Sequence, residues 1–474
     1  MRDLMIVSER PAAGRNTVVS PFDGRELEKV ATSNIAHVED ALEVAYALFR
    51  DRDEWLTVPE RIAILVRTAE IMLSQVEELT LLAASEGGKP YNDSKVEVIR
   101  AIDGVKLCAE ALRGDVGQVV PLGTTEATTG RIGFTEKEPI GVVVAVSAFN
   151  HPLNLIVHQV GPAVASGCPV IVKPAGDTPL SCLRFVEILR EAGLPDGWAQ
   201  AIITEDTATA ENLVTDRRVA FFSFIGSSKV GWMLRSKLAP GTRCALEHGG
   251  VAPVILAEPY NDEKALQAIA KGGFYHAGQV CVSVQRVFVP AKTAKRFAKQ
   301  LAALAKELKV GAPEEPDTEV GPLIRHDEVE RVGNWVDEAV AAGAKLLCGG
   351  KRISESCYAP TVLFNPPENA RVSTLEVFGP VVCVYAYENL DNAIARANSL
   401  PVAFQSAVFC DDINTATRVA KRLDASAVMI NDHSAFRDDV MPFAGLRESG
   451  LGVGGIPYTF EDMQIDKLLV IKTE

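Results

Sequence analysis

Apolar residues in the first quarter of the chain recur every three to four positions, with charged residues between them. This spacing is typical of amphipathic helices and predicts three of them, at Ala36–Phe49, Pro59–Ser85 and Asn92–Arg113. The next segment, Val116–Lys137, is rich in Gly, Thr and Val and has few helix-forming residues. It predicts a β-excursion.

From Ile140 onward, short apolar runs alternate with amphipathic segments. The predicted strands are Gly141–Ser147, Pro169–Lys173, Ala199–Ile203 and Val219–Phe224, and the predicted helices are Pro152–Ala165, Pro179–Ala192, Ala208–Thr215 and Ser228–Leu238. Such an alternation of strands and helices predicts a parallel, doubly wound sheet with helices on both faces.

A second strand–helix series follows a turn at Glu247–Pro253 and contains Cys281. Its predicted elements are Pro253–Leu256, Glu263–Tyr275, Arg286–Val289, Ala294–Leu308, His326–Ala342, Val381–Tyr387, Asp391–Ala397, Ala407–Phe409, Ile413–Arg422 and Ala427–Ile430. The chain ends in a β-like run, Lys467–Ile471, with few local partners, which suggests pairing across a subunit boundary. The expected fold class is therefore α/β.

Composition and charge limit the classes of protein to which the chain can belong. With 474 residues, 47% hydrophobic and 23% charged, the chain has the composition of a soluble globular protein of two or three domains. The net charge of −14 disfavours a nucleic-acid groove. No charge-free apolar run is long enough for a membrane span, and the apolar patch near the N-terminus is too short for a signal peptide. The nine scattered cysteines, with no Cys-x-x-Cys pair, argue against disulfides or a bound metal and favour a cytoplasmic location.

Two glycine-flanked turns carry the side chains needed for covalent catalysis followed by hydrolysis. Cys281 closes the run Gly278-Gln279-Val280-Cys281, where glycine lets the backbone approach a ligand and a thiolate can attack a carbonyl carbon. Glu247 is expected at the mouth of a strand, where a carboxylate can act as a general base. The residue types alone leave two alternatives open: a buried apolar cysteine, and a structural carboxylate held by backbone amides.

Three further sites lie where a strand meets a helix. Asn150 could either cap the following helix or donate a hydrogen bond to an oxyanion. Lys173 closes a strand at the crevice where parallel sheets bind ligands, or else extends along the sheet rim. Gly226 and Ser227 begin a helix, an arrangement that suits a pyrophosphate but is weak evidence alone.

Eight runs, in order and spacing and over nearly the whole chain, resemble the aldehyde dehydrogenase superfamily. They are Glu138-Pro-Ile-Gly141, Phe149-Asn150, Val172-Lys173-Pro174, Gly226-Ser227-x-x-x-Gly231, Leu246-Glu247-x-Gly249-Gly250, Gly278-Gln279-x-Cys281, Glu376-x-Phe378-Gly379-Pro380 and Pro442-Phe443-x-Gly445-x-x-x-Ser449-Gly450.

The resemblance implies a role for each site residue. Cys281 would form a thiohemiacetal with an aldehyde, and Asn150 with the Cys281 backbone N–H would form the oxyanion hole. Hydride transfer to NAD, or to NADP, would leave a thioester, and Glu247 would activate the water that hydrolyses it. The implied cofactor contacts are Lys173 and Glu376 to the two riboses, Gly226 and Ser227 to the pyrophosphate, and Phe378 near the nicotinamide.

The resemblance also implies a domain organisation. A Rossmann-like cofactor domain would comprise residues 1–115 and 139–248, and an α/β catalytic domain residues 249–449. Residues 116–138 and 458–474 would form a β-arm for oligomerisation, giving a homodimer or a homotetramer.

Two positions bear on the cofactor and on the fate of the thioester. Many NAD-preferring relatives carry Glu three residues after the ribose lysine, whereas this chain has Gly176 there, followed by Asp177. Both NAD and NADP therefore stay open. Relatives that transfer the acyl group to coenzyme A lack the general-base glutamate, so Glu247 favours hydrolysis to a free acid.

Arg100, His151 and Arg437 occupy positions where the family places substrate-tunnel residues. Arginine and histidine at a small pocket suggest a small polar or anionic aldehyde, because a guanidinium binds carboxylate, phosphate or phosphonate through paired donors. Arg100 could instead pair with Glu97 or Asp103 on its own helix.

The motifs resemble most the branch that holds phosphonoacetaldehyde, lactaldehyde and non-phosphorylating glyceraldehyde-3-phosphate dehydrogenases, and Phe443 would form part of the tunnel wall. Several relatives that bind phosphate or phosphonate place Arg just before the catalytic cysteine, where this chain has Val280. A carboxylated or hydroxylated short aldehyde therefore competes with a doubly charged one. Two other classes stay open: a cofactor-binding or structural homologue without turnover, and a thiol esterase that needs no nicotinamide.

Overall fold

Two helix-covered β-sheets account for most of the chain. The computed structural model describes residues 3–473. The first part holds β1 (Gly14–Val19), β2 (Glu26–Thr32), α1 (Ile35–Arg50), α2 (Val58–Ser74), α3 (Val76–Gly87), α4 (Tyr91–Arg113), β3 (Val119–Val120) and β4 (Arg131–Pro139). The middle part holds β5 (Val142–Val146), α5 (Asn154–Ser166), β6 (Val170–Lys173), α6 (Leu180–Glu191), β7 (Ala199–Ala201), α7 (Thr207–Thr215), β8 (Val219–Ile225), α8 (Ser228–Arg235) and β9 (Arg243–Glu247).

The remaining part contains the second series of elements. They are β10 (Pro253–Leu256), α9 (Asp262–Phe274), β11 (Arg286–Pro290), α10 (Ala291–Glu307), α11 (His326–Ala341), β12 (Lys345–Cys348), β13 (Thr361–Phe364), α12 (Arg371–Thr374), β14 (Val381–Tyr387), α13 (Leu390–Ala397), β15 (Val402–Ala403), β16 (Gln405–Phe409), α14 (Ile413–Arg422), β17 (Ala427–Ile430), β18 (Leu446–Arg447), β19 (Gly450–Leu451), α15 (Ile456–Asp462) and β20 (Gln464–Lys472).

The first large sheet has six strands in the order β19-β9-β8-β5-β6-β7. Strands β5 to β9 are parallel, and β19 pairs antiparallel at the edge. Successive residues of β5 enter different cores, Val143 with helices α4, α5 and α6 and Val144 with α1 and α7. Burial on both faces explains why these strands are almost wholly apolar. The predicted doubly wound α/β fold is confirmed.

The second large sheet has seven strands in the order β12-β13-β14-β11-β10-β16-β17. All neighbouring pairs are parallel except β12 with β13. Neither β12 nor β13 was predicted from the sequence. The other strands of this sheet and helices α9, α10, α11, α13 and α14 lie close to their predicted positions.

The helical first part differs from the sequence prediction in two ways. The prediction of a single helix at Pro59–Ser85 is wrong, because Gln75 separates α2 from α3. The apolar spacing continues across that break, so periodicity alone does not reveal it. An antiparallel hairpin of β1 and β2 precedes α1 and was not predicted. Helix α4 packs against α2 and α5 and shares an apolar core with strand β5 of the first sheet.

A small third sheet has the order β20-β4-β3. The terminal strand β20 pairs antiparallel with β4 of the same chain along its nine residues. The strand therefore pairs with a segment distant in sequence, as expected, and the partner belongs to the same chain; pairing across a subunit boundary stays a prediction. Several apolar side chains of this sheet are exposed, namely Val119, Ile132, Leu468, Val470 and Ile471.

Membrane-spanning helices and clusters of metal-ligating side chains are both absent from the part of the chain that the structure describes. Within residues 3–473, no helix is both long and apolar enough to cross a membrane. The same residues hold no group of three or more His, Cys, Asp or Glu side chains placed to bind a metal ion.

Candidate active site

A cleft of about 500 Å³ lies beside the carboxyl ends of strands β5, β8 and β9. Open parallel sheets bind ligands at this edge. The cleft brings together most of the residues that the sequence singled out: Arg100, Asn150, His151, Gly226, Ser227, Glu247, Cys281, Glu376, Phe378, Arg437 and Phe443. Lys173 is the exception, although its neighbour on β5, Val146, lines the cleft.

Cys281 is held in the cleft by an unusual backbone segment. His276, Ala277 and Gly278 all have positive φ, and a Cβ on Gly278 would collide with the carbonyl of Gly379. Glycine is therefore required at 278. Gln279 links the segment to the loop that contains Pro322, because its side-chain amide donates to the Pro322 carbonyl at 3.1 Å.

The thiol of Cys281 is half-buried rather than enclosed. Among the nine cysteines, all within the described residues, only Cys281 lines the cleft. Burial raises the pKa of its thiol, the carboxylates of Glu376 and Glu247 raise it further, and Arg437 lowers it. In the free protein the sulfur is therefore protonated at neutral pH.

Asn150 is buried with 4% of its surface exposed, and its side-chain amide donates to the carbonyl of Gln279 at 2.9 Å. Helix α5 begins four residues later, at Asn154, so the interpretation of Asn150 as a helix cap is wrong. An amide nitrogen carries two hydrogens, and the second one is left for another acceptor in the cleft.

Glu247 ends strand β9, and its carboxylate lies against Gly454, where a Cβ would collide with it. Among residues 3–473, no hydrogen bond or ion pair to this carboxylate is found, so the alternative of a structural carboxylate held by backbone amides is not supported. Burial raises its pKa to about 7, while Arg437 opposes the shift. A carboxylate with such a pKa can exchange a proton with water near neutrality.

The other half of the cleft is suited to a dinucleotide. Gly226 and Ser227 precede the eight-residue helix α8, and the Ser227 hydroxyl makes no capping hydrogen bond. Free backbone N–H groups at a helix start bind phosphate oxygens. Phe378, which has a φ of 48°, meets the ring of Phe149 edge-on at 5.7 Å between centroids.

Glu376 provides the strongest indication that a polar ligand belongs there. Its Oε1 is buried without a partner in the described chain, and its carboxylate fills the space that a Cβ on Gly249 would need. Burial raises its pKa to about 8. An unpaired buried oxygen is costly unless a ligand satisfies it, and a ribose hydroxyl is a donor of the right kind.

Lys173 ends strand β6, and its ammonium donates to the Pro174 carbonyl at 3.3 Å. Burial lowers its pKa. Three residues on, Gly176 has open space around its Cβ position. Its neighbour Asp177 pairs with Arg325 at 2.6 Å, and Arg325 lines the cleft.

Arg100 forms a paired contact with Asp439, from Nε to Oδ2 at 3.1 Å and from Nη2 to Oδ1 at 2.7 Å. The alternative prediction, that Arg100 pairs with Glu97 or Asp103 on its own helix, is wrong. Glu97 pairs with Lys89 and accepts from two backbone amides, while Asp103 pairs with Lys106 at 3.1 Å.

His151 donates to or accepts from the hydroxyl of Tyr275 at 2.8 Å, and both side chains line the cleft. Burial, together with the charges of Lys89 and Arg100, holds the pKa of His151 well below its usual value. His151 is therefore neutral at physiological pH and offers a hydrogen bond rather than a charge.

Arg437 lies over the ring of Phe443, 4.1 Å from its centroid, and donates from Nη1 to the Met441 carbonyl at 2.8 Å. Phe443 in turn packs on Phe404 at 4.4 Å between centroids. Within residues 3–473, Arg437 forms no ion pair, so its charge is not neutralised by a direct contact.

Three residues that line the cleft were missed by sequence reasoning, namely His158, Tyr275 and Arg325, and so was the buried Asp439 that pairs with Arg100. Asp439 and Arg100 are 339 positions apart, and no local pattern joins them. Tyr275 stands in the glycine-rich approach to Cys281, which is the one signal that could have indicated it.

A sequence model of the aldehyde dehydrogenase family matches residues 9–468. The chain is similar to the 3-sulfolactaldehyde dehydrogenase of Priestia aryabhattai, with 36% identity over 437 residues that cover 92% of this chain and 89% of that protein. Two solved structures are also similar. Aldehyde dehydrogenase 21 of Physcomitrella patens, in complex with the reaction product succinate, has a TM-score of 0.94, 33% identity and coverage of 99% and 98%.

The second structure is the glyceraldehyde-3-phosphate dehydrogenase GapN of Methanocaldococcus jannaschii complexed with NADP, with a TM-score of 0.92, 33% identity, and coverage of 97% of this chain and 100% of that one. These matches confirm the resemblance drawn from the eight motifs, including its glyceraldehyde-3-phosphate dehydrogenase branch.

Proposed function

The chain belongs to the aldehyde dehydrogenase family, and we propose that it oxidises a short anionic aldehyde to its carboxylic acid, with NAD or NADP as the oxidant. The observation that carries this proposal is the convergence of Cys281, Asn150 and Glu247 on one cleft. A nucleophile, an amide donor and a carboxylate without a protein partner are the groups that covalent aldehyde oxidation requires.

Cys281 is the proposed nucleophile. Its thiol first loses a proton to water in the cleft, and the thiolate then attacks the aldehyde carbon to give a thiohemiacetal. Burial raises the pKa of this thiol, and the positive charge of Arg437 opposes that rise. The carbonyl oxygen gains negative charge in this step. The hydrogen of Asn150 that is not bonded to Gln279 is the proposed donor to that oxygen, together with the Cys281 backbone N–H.

Glu247 is the proposed base for the second half of the reaction. After oxidation, a thioester joins the substrate to Cys281, and a water must lose a proton to attack it. A carboxylate with a pKa near 7 and no competing hydrogen bond can take that proton and return it to solvent. The product is then a free acid rather than an acyl group passed to a second thiol.

The dinucleotide supplies the hydride acceptor when it is bound. Gly226 and Ser227 are proposed to hold its pyrophosphate through backbone N–H groups at the start of α8. Glu376 is proposed to accept from a ribose hydroxyl through its unpaired oxygen. Lys173 is proposed to bind the other ribose, and Phe378 to contact the nicotinamide.

Residues 1–115 and 139–248 are the proposed cofactor domain, and residues 249–449 the proposed catalytic domain. Residues 116–138 and 458–474 are the proposed arm that joins subunits into a homodimer or homotetramer. The exposed apolar side chains of the β20-β4-β3 sheet support this role, since such surfaces are favoured at subunit contacts. Light scattering of the purified protein tests it; a monomer at all concentrations would reject the arm.

The anionic substrate is supported by Arg100 and Arg437, two of the arginines that line the cleft, and by the names of three relatives. Those names specify 3-sulfolactaldehyde, succinate and glyceraldehyde-3-phosphate, all of them anions. The test is a panel of short aldehydes, neutral and anionic, assayed with each cofactor by the absorbance of the reduced nicotinamide. A kcat/KM that is highest for neutral aldehydes would reject the proposed substrate class.

A further inference from the structure

We infer that Asp439 makes the cleft selective for singly charged head groups, a carboxylate or a sulfonate, by neutralising Arg100, one of the arginines that line it. The inference rests on the proposed function, because it concerns the anion bound beside Arg100 and Arg437. Asp439 therefore acts as a positioning residue, through Arg100, rather than as a catalytic residue.

The contact between Asp439 and Arg100 is made along one edge of the guanidinium. It uses the Nε hydrogen and one hydrogen of Nη2. Guanidinium has five N–H donors in a planar fork, so the Nη1 hydrogens and the second Nη2 hydrogen are left for another anion. The side chain of Arg100 keeps 24% exposure in the cleft, whereas that of Asp439 keeps 5%.

Asp439 is fixed from several sides. Its Oδ1 lies 2.7 Å from Nε2 of His158 and 3.3 Å from Nδ2 of Asn154, both on helix α5. Its backbone carbonyl accepts from the N–H of Ile456 at 3.1 Å. A carboxylate bound by this many donors stays ionised and in place, so its charge is a permanent feature of the cleft.

Arg437 differs from Arg100 in its contacts. It stacks on Phe443 and donates to a backbone carbonyl, and it has no carboxylate partner among the described residues. The pair of Arg100 and Asp439 is neutral, which leaves Arg437 as the one unbalanced cation of the three, and the nearby Glu247 carboxylate offsets part of that charge once it is ionised. A singly charged head group balances it, whereas a doubly charged one would leave a negative charge in a largely buried site, which is costly.

The deciding experiment compares a sulfonated aldehyde with the phosphonated aldehyde of the same carbon skeleton, at a pH of about 8, above the second ionisation expected for a phosphate-like group. The wild-type protein is expected to prefer the sulfonate in kcat/KM. In Asp439→Asn the ratio of the two values should move toward the phosphonate by on the order of tenfold, or about 1.4 kcal/mol. The change should lie mainly in KM, since the head group is remote from the bond-making step.

Asp438→Asn is the matched control, because it removes the same charge from the adjacent, exposed residue. Its ratio of kcat/KM for the sulfonated aldehyde to that for the phosphonated aldehyde should equal the wild-type ratio. Arg100→Gln provides a second variant if Asp439→Asn does not fold: it removes a cation from the same pair and should move the ratio in the opposite direction.

The outcomes separate the two proposals. A wild-type protein that prefers uncharged aldehydes overturns the anionic substrate, and the inference with it. A wild-type protein that prefers anions, with the same sulfonate-to-phosphonate ratio in Asp439→Asn and Asp438→Asn, overturns the role of Asp439 alone. An Arg100→Gln ratio that shifts toward the phosphonate also overturns that role.

Discussion

Asn150 donates a side-chain hydrogen to the main-chain oxygen of Gln279, at 2.9 Å, although the two residues are 129 positions apart. The bond joins the segment after strand β5 to the segment that presents Cys281. One amide therefore both holds the segment of the proposed nucleophile and keeps a hydrogen available for the proposed substrate oxygen.

Asn150→Ala is expected to lower kcat by roughly 100- to 1000-fold, because loss of one donor to a developing oxyanion typically costs this much. Steady-state kinetics measure the effect. Asn212→Ala, which changes an exposed asparagine on helix α7, serves as the control and should retain wild-type rates. An Asn150→Ala kcat within a factor of two of wild type would exclude Asn150 from the oxyanion hole.

Glu247→Gln is expected to separate oxidation from hydrolysis. The variant should give a rapid burst of reduced nicotinamide equal to the number of active sites, followed by a slow steady state, because the amide cannot take a proton from water. Stopped-flow absorbance measures both phases. A steady-state rate equal to wild type would remove Glu247 from the base role.

The pH dependence of hydrolysis follows from the same carboxylate. Burial raises the pKa of Glu247 to about 7, and a base works only when deprotonated. The wild-type kcat, where hydrolysis limits turnover, should therefore fall as the pH drops below about 7 and level off above it. Glu247→Gln should lose this inflection; an unchanged profile would assign the titration to another group.

Gly176→Glu is expected to discriminate against NADP. The Cβ position of Gly176 has nothing within 4 Å, so a glutamate fits, and its charge would repel a 2′-phosphate. The kcat/KM for NADP should fall by about tenfold or more relative to NAD, which corresponds to about 1.4 kcal/mol. Gly176→Gln, of equal size but uncharged, is the control and should show a much smaller change in the ratio. Equal ratios in the two variants would place the 2′-position elsewhere.

Arg437→Met is expected to raise KM for anionic aldehydes by roughly 10- to 100-fold, since hydrogen bonds to charged groups contribute about 1.5–3 kcal/mol. The methionine keeps an apolar contact with Phe443 while removing the charge. Arg437→Lys, which keeps the charge, should lie between the two proteins. A KM that rises equally for neutral and anionic aldehydes would indicate a change of cleft shape instead.

The first sheet could be predicted from the sequence because its central strands β5, β6 and β8 are largely buried on both faces. Runs such as Val142–Val146 contain nothing but apolar residues, and their alternation with amphipathic helices leaves few other topologies. The break at Gln75 could not be predicted, because neither proline nor glycine marks it and the apolar spacing continues on either side.

Site residues that lie in a short sequence motif could be predicted from the sequence. Contacts between residues far apart in the sequence could not. Cys281, Glu247 and Asn150 each lie in a short run with glycine or a strand end beside it. Arg100 was identified as a cleft residue, but its partner was sought on its own helix, because only helical neighbours can be inferred from spacing. Asp439 contacts Arg100 only because the folded chain brings the two segments together, and it lies on the same segment as Arg437.

The most direct test of the central role of Cys281 is mass spectrometry of Glu247→Gln quenched shortly after mixing with aldehyde and cofactor. We expect the peptide that contains Cys281 to gain the mass of one acyl group, and the gain to disappear in Glu247→Gln with Cys281→Ala. An acyl group on another residue, or continued aldehyde oxidation in the Cys281→Ala protein, would contradict a thioester at this cysteine.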